Sequence, residues 1–346
     1  MNTVKEINNL KLWINKFLPQ LGKLIKIGKF NIGQSNPTYK LEFEKGIYVL
    51  RSKPKGKLLR GAHRIDREYR VMSEIYNSTI PVPKMINYCK DLKVIGTEFY
   101  IMTFEKGEQE TDPIMPTYSI EEKKILYINK VQTLINLANL NLKKNKIENF
   151  GKNENYLERQ ISMWINQYRL SETNKINSME FLIQNLEKEI PKELDKLPYV
   201  LIHGDFRIDN LILDKFNRGR ILSILDWELS TVAPPFIDLS YWSVMLRFSN
   251  NWPIKGIGFE RNNELNKGIP SEKEIFEIYS NALGYDILKF WNFLLAFNCF
   301  RFASILQGIT KRVFQGNNSG DNAKLIGQQA KPVAVMGEFF MKSHLE

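Results

Sequence analysis

Three oxygen-bearing side chains, Asp205, Asn210 and Asp226, are threaded through a series of very short apolar segments, and that arrangement leaves the middle of this 346-residue chain few ways to fold. Tyr199-Val200-Leu201-Ile202, Leu211-Ile212-Leu213-Asp214 and Arg220-Ile221-Leu222-Ser223-Ile224-Leu225 read as short buried strands. Lys215 to Gly219 reads as the hairpin turn between the last two. The strand ends deliver polar groups to loops: Asp205 and Asn210 within His203-Gly204-Asp205-Phe206-Arg207-Ile208-Asp209-Asn210, then Asp226 within Leu225-Asp226-Trp227-Glu228. Phosphoryl transfer from ATP needs such a set, one carboxylate near the attacking hydroxyl and two oxygen ligands holding magnesium on the nucleotide phosphates. Asp205 is the candidate for the first task, Asn210 and Asp226 for the second. One aspartate alone is more often a cap or a turn residue; three at this spacing outweigh that reading.

The run His203 to Asn210, together with Leu225-Asp226-Trp227-Glu228-Leu229-Ser230-Thr231, closely resembles the aminoglycoside phosphotransferase-like superfamily of small-molecule kinases. Within it the likeness is to the phosphotransferase domain that some animal proteins carry fused to acyl-CoA dehydrogenase. It extends from about Ile32 to Gly316 and includes Gly33-Gln34-Ser35-Asn36-Pro37-Thr38, Val49-Leu50-Arg51, Arg67-Glu68-Tyr69-Arg70 and Pro81-Val82-Pro83. The resemblance implies an α+β, two-lobed protein-kinase-like fold with a small antiparallel-sheet N-lobe and a larger helical C-lobe. We divide the chain into a leading amphipathic helix (1–22), a nucleotide-binding N-lobe (23–106) and a catalytic, substrate-binding C-lobe (107–346).

Val4, Ile7, Leu10, Trp13, Ile14, Phe17 and Leu18 recur at a helical period, ended by Pro19. Leu24–Ile32, Tyr39–Phe43 and Ile47–Arg51 are strand candidates forming an antiparallel sheet. Between the first two, Gly33, Ser35, Asn36 and Thr38 stand where kinases place the loop over the nucleotide phosphates; with one glycine, it would bind through backbone amides and hydroxyls. Strand alternation puts Val49 and Arg51 on one face. Val49 is the candidate cover for adenine, and Arg51 takes the place of the superfamily's phosphate-binding lysine, as in the dehydrogenase-fused subfamily. Lys53 is its competitor on that face. Glu68 falls within the apolar stripe of a helix spanning about His63–Tyr76, and a charge facing a core needs a partner, for which Arg51 is the candidate. Strands at Lys84–Tyr88 and Thr97–Phe104 follow, and Met102 to Gly107, with Thr103 and Phe104, resembles the hinge whose backbone binds adenine.

Helical periods dominate afterwards, at Ser119–Leu140, Asn155–Tyr168, Ser171–Leu186, from Pro234-Pro235-Phe236-Ile237-Asp238-Leu239, Ser271–Ala282, Ile287–Lys311 and Ala323–Leu345, the last bent near Pro332. Where many relatives have Leu-His near the end of the first of these, this chain has Leu137-Ala138. The resemblance gives Asp238 the task of bracing the catalytic loop, and Arg207 reads as a salt-bridge partner for a neighbouring acid.

With 43% hydrophobic residues the chain can bury a large core. Cys89 and Cys299 lack metal-ligand spacing, and with three histidines this points to a reducing, cytoplasmic setting rather than a disulfide or zinc framework. The segment Phe290–Leu306 is broken by Asn292, Asn298 and Arg301, so no membrane span is expected. A net charge of +11 is spread along the chain rather than gathered in a patch, which argues against nucleic acid as a partner and favours anionic ligands such as ATP and a CoA ester. No segment resembles the Ala-Pro-Glu activation segment, so the expected acceptor is a small molecule. Kinship points to a hydroxyacyl-CoA; an aminoglycoside or choline-type alcohol, with Tyr241, Trp242 and Glu228 around it, and a nucleotide-binding pseudokinase stay open. Sequence leaves the oligomeric state unassigned.

Overall fold

The computed structural model describes residues 3–30, 36–56, 63–258, 264–316 and 322–346. Helix α1 (Val4–Phe17) starts at Thr3, whose side chain accepts from the Glu6 N–H, and buries Leu10 and Ile14. Strands β1 (Leu24–Lys29), β2 (Thr38–Phe43) and β3 (Gly46–Ser52) are followed by α2 (Ile65–Ile75), β4 (Met85–Cys89), α3 (Leu92–Ile95) and β5 (Phe99–Thr103). They form one antiparallel sheet in the order β1-β2-β3-β5-β4.

Alternation along the strands divides this sheet between two cores. Leu41, Leu50, Phe99 and Ile101 pack outward against Leu10 and Ile14 of α1 and Val94 and Ile95 of α3. Val49, Tyr100 and Met102 point the other way and join Met72 of α2 and the large core of the C-terminal half. At about 1.5–3 kcal/mol for each fully buried large apolar side chain, covering the outer face makes α1 part of the sheet's stability.

The chain leaves β5 and crosses to α4 (Ile120–Ala138), capped by a Ser119/Glu122 box, then α5 (Tyr156–Ser171) and α6 (Asn177–Lys188). Short strands β6 (Val200–Ile202), β7 (Leu211–Leu213), β8 (Ile221–Ile224) and β9 (Thr231–Ala233) pair as β6 with β9 and β7 with β8. Helices α7 (Ile237–Leu246), α8 (Glu272–Leu283), α9 (Leu288–Phe314), α10 (Ala323–Gln328) and α11 (Ala330–Leu345) complete the half. By length and composition α9 is apolar enough to cross a membrane, but 78% of its most apolar window is buried. It is the central core helix, packed by α5, α6, α7, α10 and α11, and its Asn298 and Arg301 make buried hydrogen bonds. Cys89 and Cys299 are both buried free thiols.

The linker is pinned to the hairpin of β7 and β8. Glu108 and Leu213 exchange backbone hydrogen bonds of 2.9 and 2.8 Å. A Cβ on Gly107 would lie 2.4 Å from the Leu213 carbonyl oxygen, so this approach excludes any other residue.

Several elements differ from the sequence expectation. Helix α6 begins at Asn177, not Ser171, because α5 runs on to Ser171 and the connection is held to α9 where Gln307 donates to Thr173. The C-terminal helix breaks at Gln329, one turn ahead of Pro332, whose ring crowds the carbonyl four residues earlier. Strand β9 and helix α3 are too short to show a period in the sequence.

Candidate active site

The segment 203–210 is held by charges from the helical core. The Asp238 carboxylate on α7 accepts from the backbone N–H of His203 (2.6 Å) and of Gly204 (2.8 Å). From α9, Arg301 Nη2 donates to the Gly204 carbonyl at 2.6 Å. Gly204 has φ 83°, and a Cβ there would meet the Leu229 carbonyl oxygen at 2.5 Å, so both conformation and space require glycine. His203 Nδ1 accepts from the Asp205 N–H at 3.2 Å, which places the ring proton on Nε2, where it donates to the Leu225 carbonyl at 2.9 Å. One buried imidazole thereby ties the Asp205 loop to the residue before Asp226. Arg301 and the His203 bridge gave no sequence signal beyond a histidine preceding the loop and an arginine interrupting an apolar helix.

Asp205 accepts from the Tyr241 hydroxyl at 2.6 Å and from Asn210 Nδ2 at 3.2 Å, with Arg207 Nε 3.5 Å away. Burial pushes its carboxyl up, but Arg207 and the Tyr241 hydrogen bond outweigh this and hold it below the usual carboxylate range. It is therefore an ionised acceptor at neutral pH. Tyr241, expected to line an acceptor pocket, instead orients Asp205. Its own hydroxyl is pushed well up by burial beside that carboxylate and stays a donor. Arg207 pairs with Asp209 as well.

Asp226 has left-handed dihedrals, φ 63° and ψ 57°. A non-glycine residue there costs on the order of 1–3 kcal/mol, and surrounding structure must enforce it. The neighbours do so: Leu225 N–H donates to the Asn210 carbonyl at 2.8 Å, and the buried Trp227 indole donates to the Ile224 carbonyl at 2.9 Å. Arg51 on β3 reaches this carboxylate with Nη2 at 2.8 Å while its Nε bonds Glu68 of α2 at 3.0 Å. Burial raises the Glu68 carboxyl despite Arg51, and the two acids keep the guanidinium firmly charged despite burial.

A cavity of about 420 Å³ runs between the halves. Asp205, Asn210 and Asp226 all line it, facing Arg51 and Glu68, as do Thr38, Val49, Thr103 and Phe104. Phe30, which the sequence reading missed, stacks with Phe104 at 6.4 Å between centroids. Asn36 is set apart: it is fully buried, donates to Glu228 and accepts from His63, each at 3.0 Å, and does not line the cavity. Burial and the nearby Asp226 raise the Glu228 carboxyl. Lys53 is bonded to Glu98 at 2.7 Å away from the cavity, which leaves Arg51 as the inward cation of β3. Gly33 and Ser35 lie outside the described residues.

The donors suit a hard divalent cation. Asn210 commits its amide nitrogen to Asp205, leaving its carbonyl oxygen available, and Asp226 already carries a cation's charge from Arg51. Among the described residues no group of three or more His, Cys, Asp or Glu could hold a metal alone. Magnesium fits such a two-donor arrangement because phosphates and water complete its shell.

A model of the phosphotransferase enzyme family (APH) matches residues 26–261. The chain belongs to this family. Over 334 residues the phosphotransferase is 37% identical to acyl-CoA dehydrogenase family member 11 of Homo sapiens, covering 95% of the chain and 42% of that protein. It is 38% identical over 308 residues to family member 10 of Mus musculus, 89% of the chain and 28% of that protein. The chain thus spans less than half the length of the curated relatives it matches. A crystal structure from Ralstonia eutropha JMP134, provisionally assigned as an aminoglycoside phosphotransferase, superposes with TM-score 0.86 at 36% identity, covering 97% of this chain and 98% of that one. An aminoglycoside phosphotransferase crystallised with AMP-PNP and hygromycin B shares the fold at TM-score 0.61 and 12% identity, over 94% of this chain and 98% of that chain.

Proposed function

We propose that this phosphotransferase moves the γ-phosphate of ATP onto a hydroxyl of a small molecule, with magnesium. The carrying observation is the convergence of Asp205, Asn210 and Asp226 on one cavity whose other walls are Val49, Phe104 and the charged Arg51. In this reading Val49, Met102 and Phe104 hold the adenine, and the backbone beside Thr103 and Phe104 supplies its polar contacts. Thr38 and Arg51 bind phosphate oxygens, with Gly33 and Ser35 expected to share that task; Asn36 fixes its end of the segment through Glu228 and His63. Asn210 and Asp226 are the metal ligands. Magnesium would neutralise charge on the β- and γ-phosphates.

Asp205 orients the acceptor hydroxyl and accepts its proton as the oxygen attacks phosphorus in line and the bond to ADP breaks. Tyr241 and Asn210 hold that carboxylate in position, and the acceleration comes from positioning and charge neutralisation. The relatives' naming as acyl-CoA dehydrogenases supports a hydroxyacyl-CoA acceptor, as does the chain's net charge of +11. Two buried free thiols support a reducing, cytoplasmic setting.

The test is incubation of the protein with ATP, magnesium and a metabolite extract, read by mass spectrometry for gain of one phosphate. Asp205→Ala and Asp226→Asn should abolish the gain. Nucleotide binding without any product in the native chain would instead favour the pseudokinase, a reading that Arg51 in the lysine position supports.

A further inference from the structure

Asn36 is fully buried and does not line the nucleotide cavity, yet both ends of its amide are engaged. Its Nδ2 donates to Glu228 Oε2 and its Oδ1 accepts from His63 Nδ1, each at 3.0 Å. An amide oxygen can only accept, so the His63 proton stands on Nδ1. Burial and the Arg51 charge hold that imidazole below its usual value. One side chain thus joins the segment before β2, the approach to α2 and the loop after β8.

Each member of this clasp is fastened to a wall of the cleft. The Asn36 carbonyl accepts from the Thr38 hydroxyl at 2.9 Å, and the Pro37 carbonyl accepts from the N–H of Ser52, next to Arg51, at 3.0 Å. The His63 carbonyl accepts from the Ile65 N–H at 2.9 Å, at the start of the helix that carries Glu68. Glu228 follows closely on Asp226 and lines the nucleotide cavity with it. The clasp therefore sets the separation between Thr38 and Arg51 on the sheet side and Asp226 on the other. His63 holds its place at φ 56°, a left-handed conformation that a residue with a Cβ keeps only where its surroundings enforce it. Glycine would sit there unstrained but would bring no imidazole to Asn36.

We propose that Asn36, His63 and Glu228 form a latch that retains the bound nucleotide, its release requiring the clasp to open, and that all three are positioning residues rather than ligands of metal or substrate. The inference rests on the nucleotide-binding reading above. Breaking either bond of the clasp frees Thr38 and Asp226 to move apart around the phosphates. Entry takes place with the cleft open and does not depend on the clasp.

The test is stopped-flow release of mant-ADP from the protein in magnesium, chased with unlabelled ADP, beside urea unfolding. His63→Gly removes the ring and suits the backbone, so stability should change little while release quickens about tenfold or more. Association should stay within about threefold of native. Asn36→Leu and Glu228→Leu should quicken release likewise, and His63→Gly covers the case in which either fails to fold. Glu228→Gln keeps an acceptor oxygen for Asn36 and should release within about threefold of native. Were Glu228 a magnesium ligand, the amide would weaken binding as leucine does. Native release rates in His63→Gly, or equal losses in Glu228→Gln and Glu228→Leu, would overturn the latch alone. A native chain that binds no mant-ADP would overturn the nucleotide reading and the latch with it.

Discussion

Arg51→Met removes the cation bonded to Glu68 and leaves that carboxylate on α2 at 1% exposure without its charged partner. Taking one member from a buried ion pair costs about 3–5 kcal/mol because the remaining charge is neither solvated nor compensated. Methionine keeps most of the side-chain volume, so a cavity contributes little. The deficit should depend on pH in a definite direction. Burial already holds Glu68 above its ordinary value of 4.5, and losing Arg51, which lowers it, raises it further. The folded variant then retains a proton that the unfolded chain releases, so stability falls as pH rises from the ordinary value through the raised one. Each further unit of separation is worth about 1.4 kcal/mol. Urea unfolding followed by tryptophan fluorescence should show a deficit that grows as pH rises through about 7, the raised value of Glu68, and is still growing at pH 8, against a clearly smaller one near pH 5. A deficit independent of pH, or none, would refute the pairing argument.

Gly204→Ala should cost more than about 1 kcal/mol in urea unfolding, since alanine is strained at φ 83° and its methyl would meet the Leu229 carbonyl at 2.5 Å; unchanged stability would contradict the local geometry. Asp238→Ala removes a charged acceptor from two buried N–H groups, and at about 1–3 kcal/mol for each unsatisfied donor it should destabilise the protein and lower turnover well beyond tenfold. For Tyr241→Phe the expected loss in kcat/KM is about ten- to a hundredfold, from a charge-assisted hydrogen bond worth about 1.5–3 kcal/mol. Because that bond helps hold the Asp205 carboxyl low, the acid limb of the pH–rate profile should move to higher pH, and an unmoved limb would count against the assignment.

Much of the fold was legible because its elements are periodic. Strand alternation put Val49 and Arg51 on the cleft face, and an acid inside the stripe of α2 announced the Arg51–Glu68 pair. Two of the short elements, β9 with three residues and α3 with four, were not legible. Within the site, the polar groups of the catalytic run could be found from spacing, whereas their supports could not. Arg301 meets Gly204 across 97 positions and Tyr241 meets Asp205 across 36. Such contacts come from helix packing, to which local pattern is blind. Asn36 shows what a loop position leaves open, since its amide turned inward to Glu228 and His63.

The arginine at position 51 also explains how the two halves are registered. Its planar fork bonds Glu68 through Nε and Asp226 through Nη2, so one side chain joins the sheet, α2 and the loop after β8. A lysine ammonium is a point charge on a flexible stem and lacks this fixed divergence of donors. Two further links act beside it: Asn36 to Glu228, and Arg67 of α2 to the carbonyls of Phe150 and Ser230 at 2.7 and 3.2 Å. All three involve residues next to or within the segment 226–230. A cation on Asp226 and a phosphate on Arg51 would each supply the charge that these two groups now give one another. On the proposed function, that exchange of one bond for two would make the Arg51–Asp226 contact the point at which nucleotide occupancy is felt by both halves.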